Sequence, residues 1–241
     1  MSERTVDRLA GDWMIVQLAR GHRFSADDML TAWTAARAAP SARRLLDLGS
    51  GIGSVGLMAL HQLPEASLVT VEAQAVSYEL QLETLARNGL QPRVHAIHGD
   101  LRSVELPREF ELATGSPPYI PEGHGVLPAH PQKAGARFEL RGDVFDYCKA
   151  AARALVVDGT FVFCHSGTDP RPERAIAKAG LTLVQRRDVF FRHDKPPTVA
   201  LFTCRWSGTR DDAEALVIRD ETGAHTAEYT AIRQAFRLSG C

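Results

Sequence analysis

Three acids and a glycine-rich turn carry the strongest chemical signal in these 241 residues. The stretch "LLDLGSGIGSVG", Leu45 to Gly56, sets Asp47 at the end of an apolar run and follows it with Gly49, Ser50, Gly51 and Gly53. A turn of this composition between a strand and a helix lets a ligand approach the backbone closely. Gly51-x-Gly53-x-x-Gly56 matches the dinucleotide fingerprint, and that pattern alone leaves a nicotinamide cofactor open. The acids point elsewhere. A carboxylate at Asp47 is badly placed against a doubly negative pyrophosphate and well placed against an ammonium, such as the methionine end of S-adenosylmethionine. Glu72 ends the next apolar run, "SLVTVEA", where it can accept from both hydroxyls of a ribose. Asp100 ends a third, in "HGDL", where it can accept from an adenine amine. Ala73, Gln74 and Leu101 flank these acids and belong to the same expected cofactor set.

A second signal is "GSPPYIPEG", Gly115 to Gly123, which follows the strand-like "FELAT". Pro117 and Pro118 have no N–H for a sheet ladder, and each pushes its predecessor out of the helical region. A buried strand that ends in two rigid prolines and an aromatic, Tyr119, calls for a reason beyond a simple turn.

The elements that must position these residues alternate. Strands are predicted over Arg43–Gly49, Ser67–Ala73, Arg93–Asp100, Glu109–Gly115 and Thr160–Gly167, and as a closing pair over Leu181–Phe191 and Thr198–Trp206. Helices are predicted over Ser54–Leu63, Ala75–Gly89, Asp143–Gly159 and Pro172–Gly180. This order reads as an α/β, doubly wound, mostly parallel sheet with an antiparallel hairpin at one edge. Ligands of such sheets sit at the carboxyl ends of the strands, where all three acids fall. The division expected is residues 1–40 as an N-terminal extension covering the active site, 41–206 as the core, and 207–241 as a C-terminal appendage. Hydrophobic content of 44% and charged content of 24% suit one globular chain of this size. The net charge of −1 gives no global attraction to nucleic acid, so an RNA partner would need a local basic patch. Cys148, Cys164, Cys204 and Cys241 are scattered, without a CxxC pair, and read as reduced thiols. No apolar run is long enough to span a membrane, and the N-terminus lacks an apolar h-region. A cytoplasmic protein without a metal, monomeric or weakly dimeric, is expected.

Motif I of the class I S-adenosylmethionine-dependent methyltransferases resembles Leu45–Gly56, with Glu72 and Asp100 at that family's acidic positions. The resemblance implies a seven-stranded sheet with helices on both faces and a reversed last hairpin. Ser116-Pro117-Pro118-Tyr119 then resembles the Asn/Asp/Ser-Pro-Pro-aromatic motif of enzymes that methylate adenine N6, cytosine N4 or a glutamine amide. The physics suits that motif. An exocyclic amine has its lone pair delocalised into a planar system and must become more tetrahedral to attack a methyl sulfonium. Acceptors for its hydrogens favour that change, and the rigid prolines hold them in place. Ser116 stands where asparagine is usual, and resembles some cytosine-amine enzymes. Tyr119 is placed to stack on a base. The resemblance thus assigns Ser116, Pro117, Pro118 and Tyr119 to catalysis, with Ser116 also near the cofactor.

The flanks narrow the resemblance to bacterial tRNA adenine-N6 methyltransferases acting on an anticodon-adjacent adenine of valine tRNA. "GHRFSADDML" at the front is similar to that family, as is the run holding Ala136, Arg137 and Glu139. Phe24 would wall the adenosine, and Ser25 and Asp27 would close over the cofactor, although either is equally suited to capping the next helix. Arg23, Lys133 and Arg137 would meet RNA, with Tyr119, while Arg137 could instead pair with Glu139. Arg186 to Lys195 offers a further basic edge. N-methylation of a protein glutamine or a small molecule, and a non-catalytic cofactor- or RNA-binding module, remain alternatives.

Overall fold

Apolar runs that end in acids fold as neighbouring parallel strands of one sheet in the computed structural model, which describes residues 3–238. In chain order the strands are β1 (Arg4–Ala10), β2 (Trp13–Leu18), β3 (Arg44–Leu48), β4 (Ser67–Glu72), β5 (Val94–His98), β6 (Phe110–Gly115), β7 (Leu155–Ser166), β8 (Thr182–Phe190), β9 (Val199–Arg205) and β10 (Leu216–Val217). The helices are α1 (Ala26–Ala38), α2 (Ser54–Gln62), α3 (Ala75–Asn88), α4 (Pro131–Arg137), α5 (Val144–Ala154), α6 (Arg171–Lys178) and α7 (Ala227–Ala235).

The sheet runs β10-β8-β9-β7-β6-β3-β4-β5. Strands β3 to β7 are parallel, and β9 enters antiparallel between β7 and β8. The reversed closing hairpin is therefore present, with β9 inside it. The sheet has eight strands where seven were expected, because β10 in the tail pairs parallel with β8 through Leu216↔Val189 and Val217↔Phe190. One further expectation is corrected. The predicted helix Asp143–Gly159 stops at Ala154, and Leu155 pairs with Phe110 as β7 begins. The β-branched Val156 and Val157 suit that ladder better than a helix. The front also holds a β1–β2 hairpin, joined across Gly11-Asp12.

Successive residues on each strand face opposite layers. Leu45, Leu68, Leu112 and Val162 pack with α1 and α2 on one side. Leu46, Leu48, Ala113, Phe161 and Phe163 pack with α5 and α6 on the other. Phe161, Phe163 and Phe202 stack in series at centroid separations of 4.9 and 5.0 Å. The register sets Asp47 beside Thr70 and Thr114, and Leu48 beside Val71 and Gly115. The glycine turn, Glu72 and the proline pair thus leave the sheet at one edge. Pro117 and Pro118 fall just beyond β6, where the ladder on both its sides has ended and a missing N–H costs nothing. Cys148, Cys164 and Cys204 are buried free thiols, and Cys241 lies outside the described residues.

Candidate active site

Asp47 anchors the glycine turn. Its side chain is 1% exposed, Oδ2 accepts from the Gly56 N–H at 2.9 Å, and Oδ1 accepts from the Thr114 hydroxyl at 2.8 Å. One carboxylate thus ties the first turn of α2 to β6. Gly49 has φ of 59°, and a Cβ there would collide with the Tyr147 hydroxyl. Gly51 has φ of 57°, but a Cβ there would meet nothing within 4 Å. It faces open space that a ligand can fill. Its N–H donates to Glu72 Oε2 at 2.7 Å, while the Gln74 N–H donates to Oε1 at 2.6 Å.

A cavity lies over this turn. Of the expected cofactor residues it brings together Asp47, Gly49, Ser50, Gly51, Glu72, Ala73, Gln74, Asp100, Leu101 and Ser116. Gly53 is outside it, serving as the left-handed N-cap of α2 at φ 89°. Phe24 is also outside, packed against the hydrophobic layer beneath. Ser25 and Asp27 line a neighbouring cleft. Ser25 is the N-cap of α1, and its backbone N–H donates to Asp28 Oδ2 at 2.9 Å, so the capping reading is realised. Sequence reasoning missed Asp28, Ser77, Arg141 and Tyr147, which also line the cavity. Asp28 directly follows Asp27 in the capping stretch; the other three arrive by packing of α3, α5 and the loop before α5, and no local motif marks them.

The cavity gathers carboxyls. Burial pushes Asp47 up to about 7 and Asp28 up to about 6, and the charges of Asp28 and Glu72 raise Asp47 further. Burial raises Glu72 as well, against its two N–H donors and Arg141. Asp100 is held low by Arg102, which bonds it through Nε at 3.0 Å and Nη2 at 2.6 Å. Such a site resists a second negative ligand and favours one that brings positive charge and hydroxyl or amine donors. An ammonium, a sulfonium, a ribose and an adenine amine meet those demands; a pyrophosphate does not.

The neighbouring cleft shares His22, Asp28, Ser116 and Ala136 with the cavity, and adds Pro117, Tyr119 and Cys164. Ser116 therefore stands in the wall between the two spaces, with Oγ 3.4 Å from Cys164 Sγ. Tyr119 is 37% exposed, and its ring meets the edge of His165 at 5.8 Å. His165 is fully buried, and burial pushes it down to about 4, so it is neutral. Arg23, Lys133 and Arg137 all line this cleft. Arg23 is tied to Asp7 at 2.9 Å and to the Thr5 hydroxyl at 2.7 Å. Glu139 pairs with Arg171 at 2.8 Å rather than with Arg137, whose guanidinium has no ion pair among the described residues. The basic edge is largely neutralised: Arg186 bonds Asp188 at 2.8 Å, and Arg187 bonds Glu228 at 2.7 Å. Among the described residues no group of His, Cys, Asp and Glu is arranged to hold a metal ion, and no helix is long and apolar enough to cross a membrane.

The methyltransferase small domain matches residues 27–133. A tRNA1(Val) (adenine(37)-N6)-methyltransferase of Tolumonas auensis is 26% identical over 212 residues, covering 87% of each chain. Its counterpart in Citrobacter koseri is 28% identical over 202 residues, covering 81% of this chain and 80% of the relative. Among solved structures, a predicted O-methyltransferase from Agrobacterium tumefaciens superimposes with a TM-score of 0.65 at 17% identity, over 87% of this chain and 96% of that one. The geranyl diphosphate C-methyltransferase of Streptomyces coelicolor, in complex with S-adenosyl-L-homocysteine, gives 0.54 at 12% identity, over 74% of this chain and 77% of that one. These structures share the fold. Sheet order, glycine turn, acid-lined cavity and sequence likeness agree: the chain has the class I methyltransferase fold, carries a match to the methyltransferase small domain, and resembles the tRNA1(Val) adenine-N6 methyltransferases along most of its length.

Proposed function

We propose that the chain methylates the exocyclic N6 of an unpaired adenine in tRNA, with S-adenosylmethionine as methyl donor. The observation that carries this reading is Ser116 in the wall common to the acid-lined cavity and the Tyr119 cleft. Asp47 would hold the donor's ammonium, Glu72 its ribose and Asp100 its adenine amine, with Arg102 sharing Asp100. S-adenosylmethionine supplies an electrophilic methyl group. The protein's part is to present an amine to it. The Ser116 hydroxyl and a proline carbonyl accept the amine's hydrogens, and the rigid prolines keep both acceptors fixed. Tyr119 stacks on the target base, and a base in a loop is already unstacked enough to enter. Lys133 and Arg137 at the cleft meet phosphate, so RNA binding needs no net positive chain.

We take residues 1–40 as the segment that closes this cleft, through His22, Arg23, Ser25 and Asp27, and 207–241 as an appendage to the 41–206 core. A cytoplasmic chain, monomeric or weakly dimeric, fits the reading. The test incubates the protein and labelled S-adenosylmethionine with total RNA, total protein and a small-molecule extract. Label in the RNA fraction is expected. Label confined to protein glutamine or to small molecules would replace this reading by those acceptors.

A further inference from the structure

The acceptor cleft holds a carboxylate to which the mechanism above gives no chemical role. Asp27 opens α1, and its backbone carbonyl accepts from the Thr31 hydroxyl at 2.7 Å. Its side chain has no hydrogen bond or ion pair among the described residues, and it lines the cleft with Ser116, Pro117 and Tyr119 but not the cofactor cavity. Tyr119 and Cys164 line the same cleft; burial raises both, and the Asp27 charge raises them further. Asp28 beside it also lines the cleft, but its Oδ2 is taken by the Ser25 N–H at 2.9 Å.

We propose that Asp27 takes up the proton that the target amine loses on methylation, the part that a proline carbonyl and the short, neutral Ser116 hydroxyl leave undone. This inference rests on the amine-methylation reading above. In the step, the amine nitrogen uses its lone pair to form the N–C bond to the methyl group. The pair of the donor's C–S bond stays on sulfur, and the positive charge passes to nitrogen. One N–H proton then moves to the Asp27 carboxylate, which returns it to water at the cleft mouth. An anion beside the nitrogen favours the positive charge developing there. The asparagine of the commoner motif cannot take up a proton; a carboxylate can. Burial and Asp28 raise Asp27 to about 6, close enough to neutrality for a proton acceptor. The charged and titratable groups lining the cleft around it are Asp28 from α1, His22 and Arg23 from the preceding segment, Tyr119, Cys164 from β7, and Lys133 and Arg137 from α4. His165 stands behind Tyr119.

The test compares wild type, Asp27→Asn and Asp27→Glu. Methyl transfer is followed from pH 5 to 8.5, with affinities for S-adenosylhomocysteine and RNA and the thermal midpoint measured alongside. Asp27→Asn should lower kcat about tenfold to hundredfold, consistent with loss of a positioned proton acceptor. It should leave both affinities within error and the midpoint no lower than that of wild type, since it removes a carboxylate that burial raises to about 6, and Asp27→Glu should restore part of the rate. A second readout needs no turnover. Carboxyl 13C NMR of the ligand-free chain should show two aspartate titrations near pH 6, Asp27 and Asp28, of which Asp27→Asn removes one. RNA bearing adenine at the target should lower that titration relative to the same RNA bearing purine, which has no amine. Unchanged kcat in Asp27→Asn, or loss of cofactor affinity in step with rate, overturns the proposal. So does an identical titration with adenine and purine RNA. If wild type methylates another amine and no RNA, the adenine reading fails and the same variants decide Asp27's part on that acceptor. A wild type that methylates no acceptor overturns both.

Discussion

Replacing Glu72 by glutamine removes the charge of this side chain at nearly constant shape and turns one of its two acceptor oxygens into a donor. The carboxylate is 5% exposed and already accepts two backbone N–H groups, from Gly51 at 2.7 Å and Gln74 at 2.6 Å. Each oxygen keeps a lone pair for a ribose hydroxyl. Hydrogen bonds to a charged acceptor contribute about 1.5–3 kcal/mol, and neutral ones about 0.5–1.5 kcal/mol. Weakening two ribose bonds by about 1 kcal/mol each therefore removes about 2 kcal/mol of binding, or roughly thirtyfold in Kd. Glu72→Ala should cost more, because it releases both the Gly51 and the Gln74 N–H, removes both ribose acceptors and lets the turn move. Stability should change less than affinity, since burial opposes the charge of Glu72 in the ligand-free chain. Isothermal titration with S-adenosylhomocysteine at pH 8, with a thermal melt of each variant, gives both quantities. If Glu72→Gln and Glu72→Ala both bind within about threefold of wild type while remaining folded, Glu72 does not hold the ribose and the cofactor placement is wrong.

Tyr119→Ala should slow methyl transfer roughly thirtyfold to a hundredfold through loss of about 2–3 kcal/mol of stacking and orientation, with S-adenosylhomocysteine affinity unchanged; steady-state kinetics and titration check the pair of values. Lys133→Glu combined with Arg137→Glu should weaken RNA binding and flatten its salt dependence, by a slope of about 0.7 for each phosphate of a single strand that is no longer neutralised; filter binding at several salt concentrations measures it. Asp47 is raised from 3.8 to about 7, so the folded chain binds more protons than the unfolded one between those values, and its contribution to stability falls as pH rises through them. Asp47→Asn should therefore gain stability relative to wild type from pH 4 to pH 7 in denaturant unfolding of the ligand-free chain, and a pH-independent difference would count against the burial argument.

Much of the site could be read from local patterns because its parts sit at strand ends. Asp47, Glu72 and Asp100 each close an apolar run, and parallel pairing alone brings such ends to one edge. Ser116 follows β6 directly, so its position depends on the same pairing. Arg141 and Tyr147 were not legible, because only the packing of α5 and the loop before it turns them into the cavity. Phe24 does not line the cavity for the opposite reason: an aromatic near a site is also a good core residue, and here it packs, partly buried, against the core. The β1–β2 hairpin did leave a signal, a Gly11-Asp12 turn followed by the apolar run Trp13-Met14-Ile15-Val16. Strand β10 left none, since two residues paired to a distant strand have no periodicity to read. The end of α5 was obscured by an alanine-rich helix running straight into β-branched residues that belong to β7.

The atom that receives the methyl group is the most direct test of this mechanism. A valine tRNA transcript, incubated with the wild-type chain and labelled S-adenosylmethionine and then digested to nucleosides, should yield labelled N6-methyladenosine from a single adenine of the anticodon loop under mass spectrometry. Label recovered as N4-methylcytidine, on a ribose or on a ring carbon would contradict the assignment of Ser116, Pro117, Pro118 and Tyr119 as the acceptor site of an adenine amine.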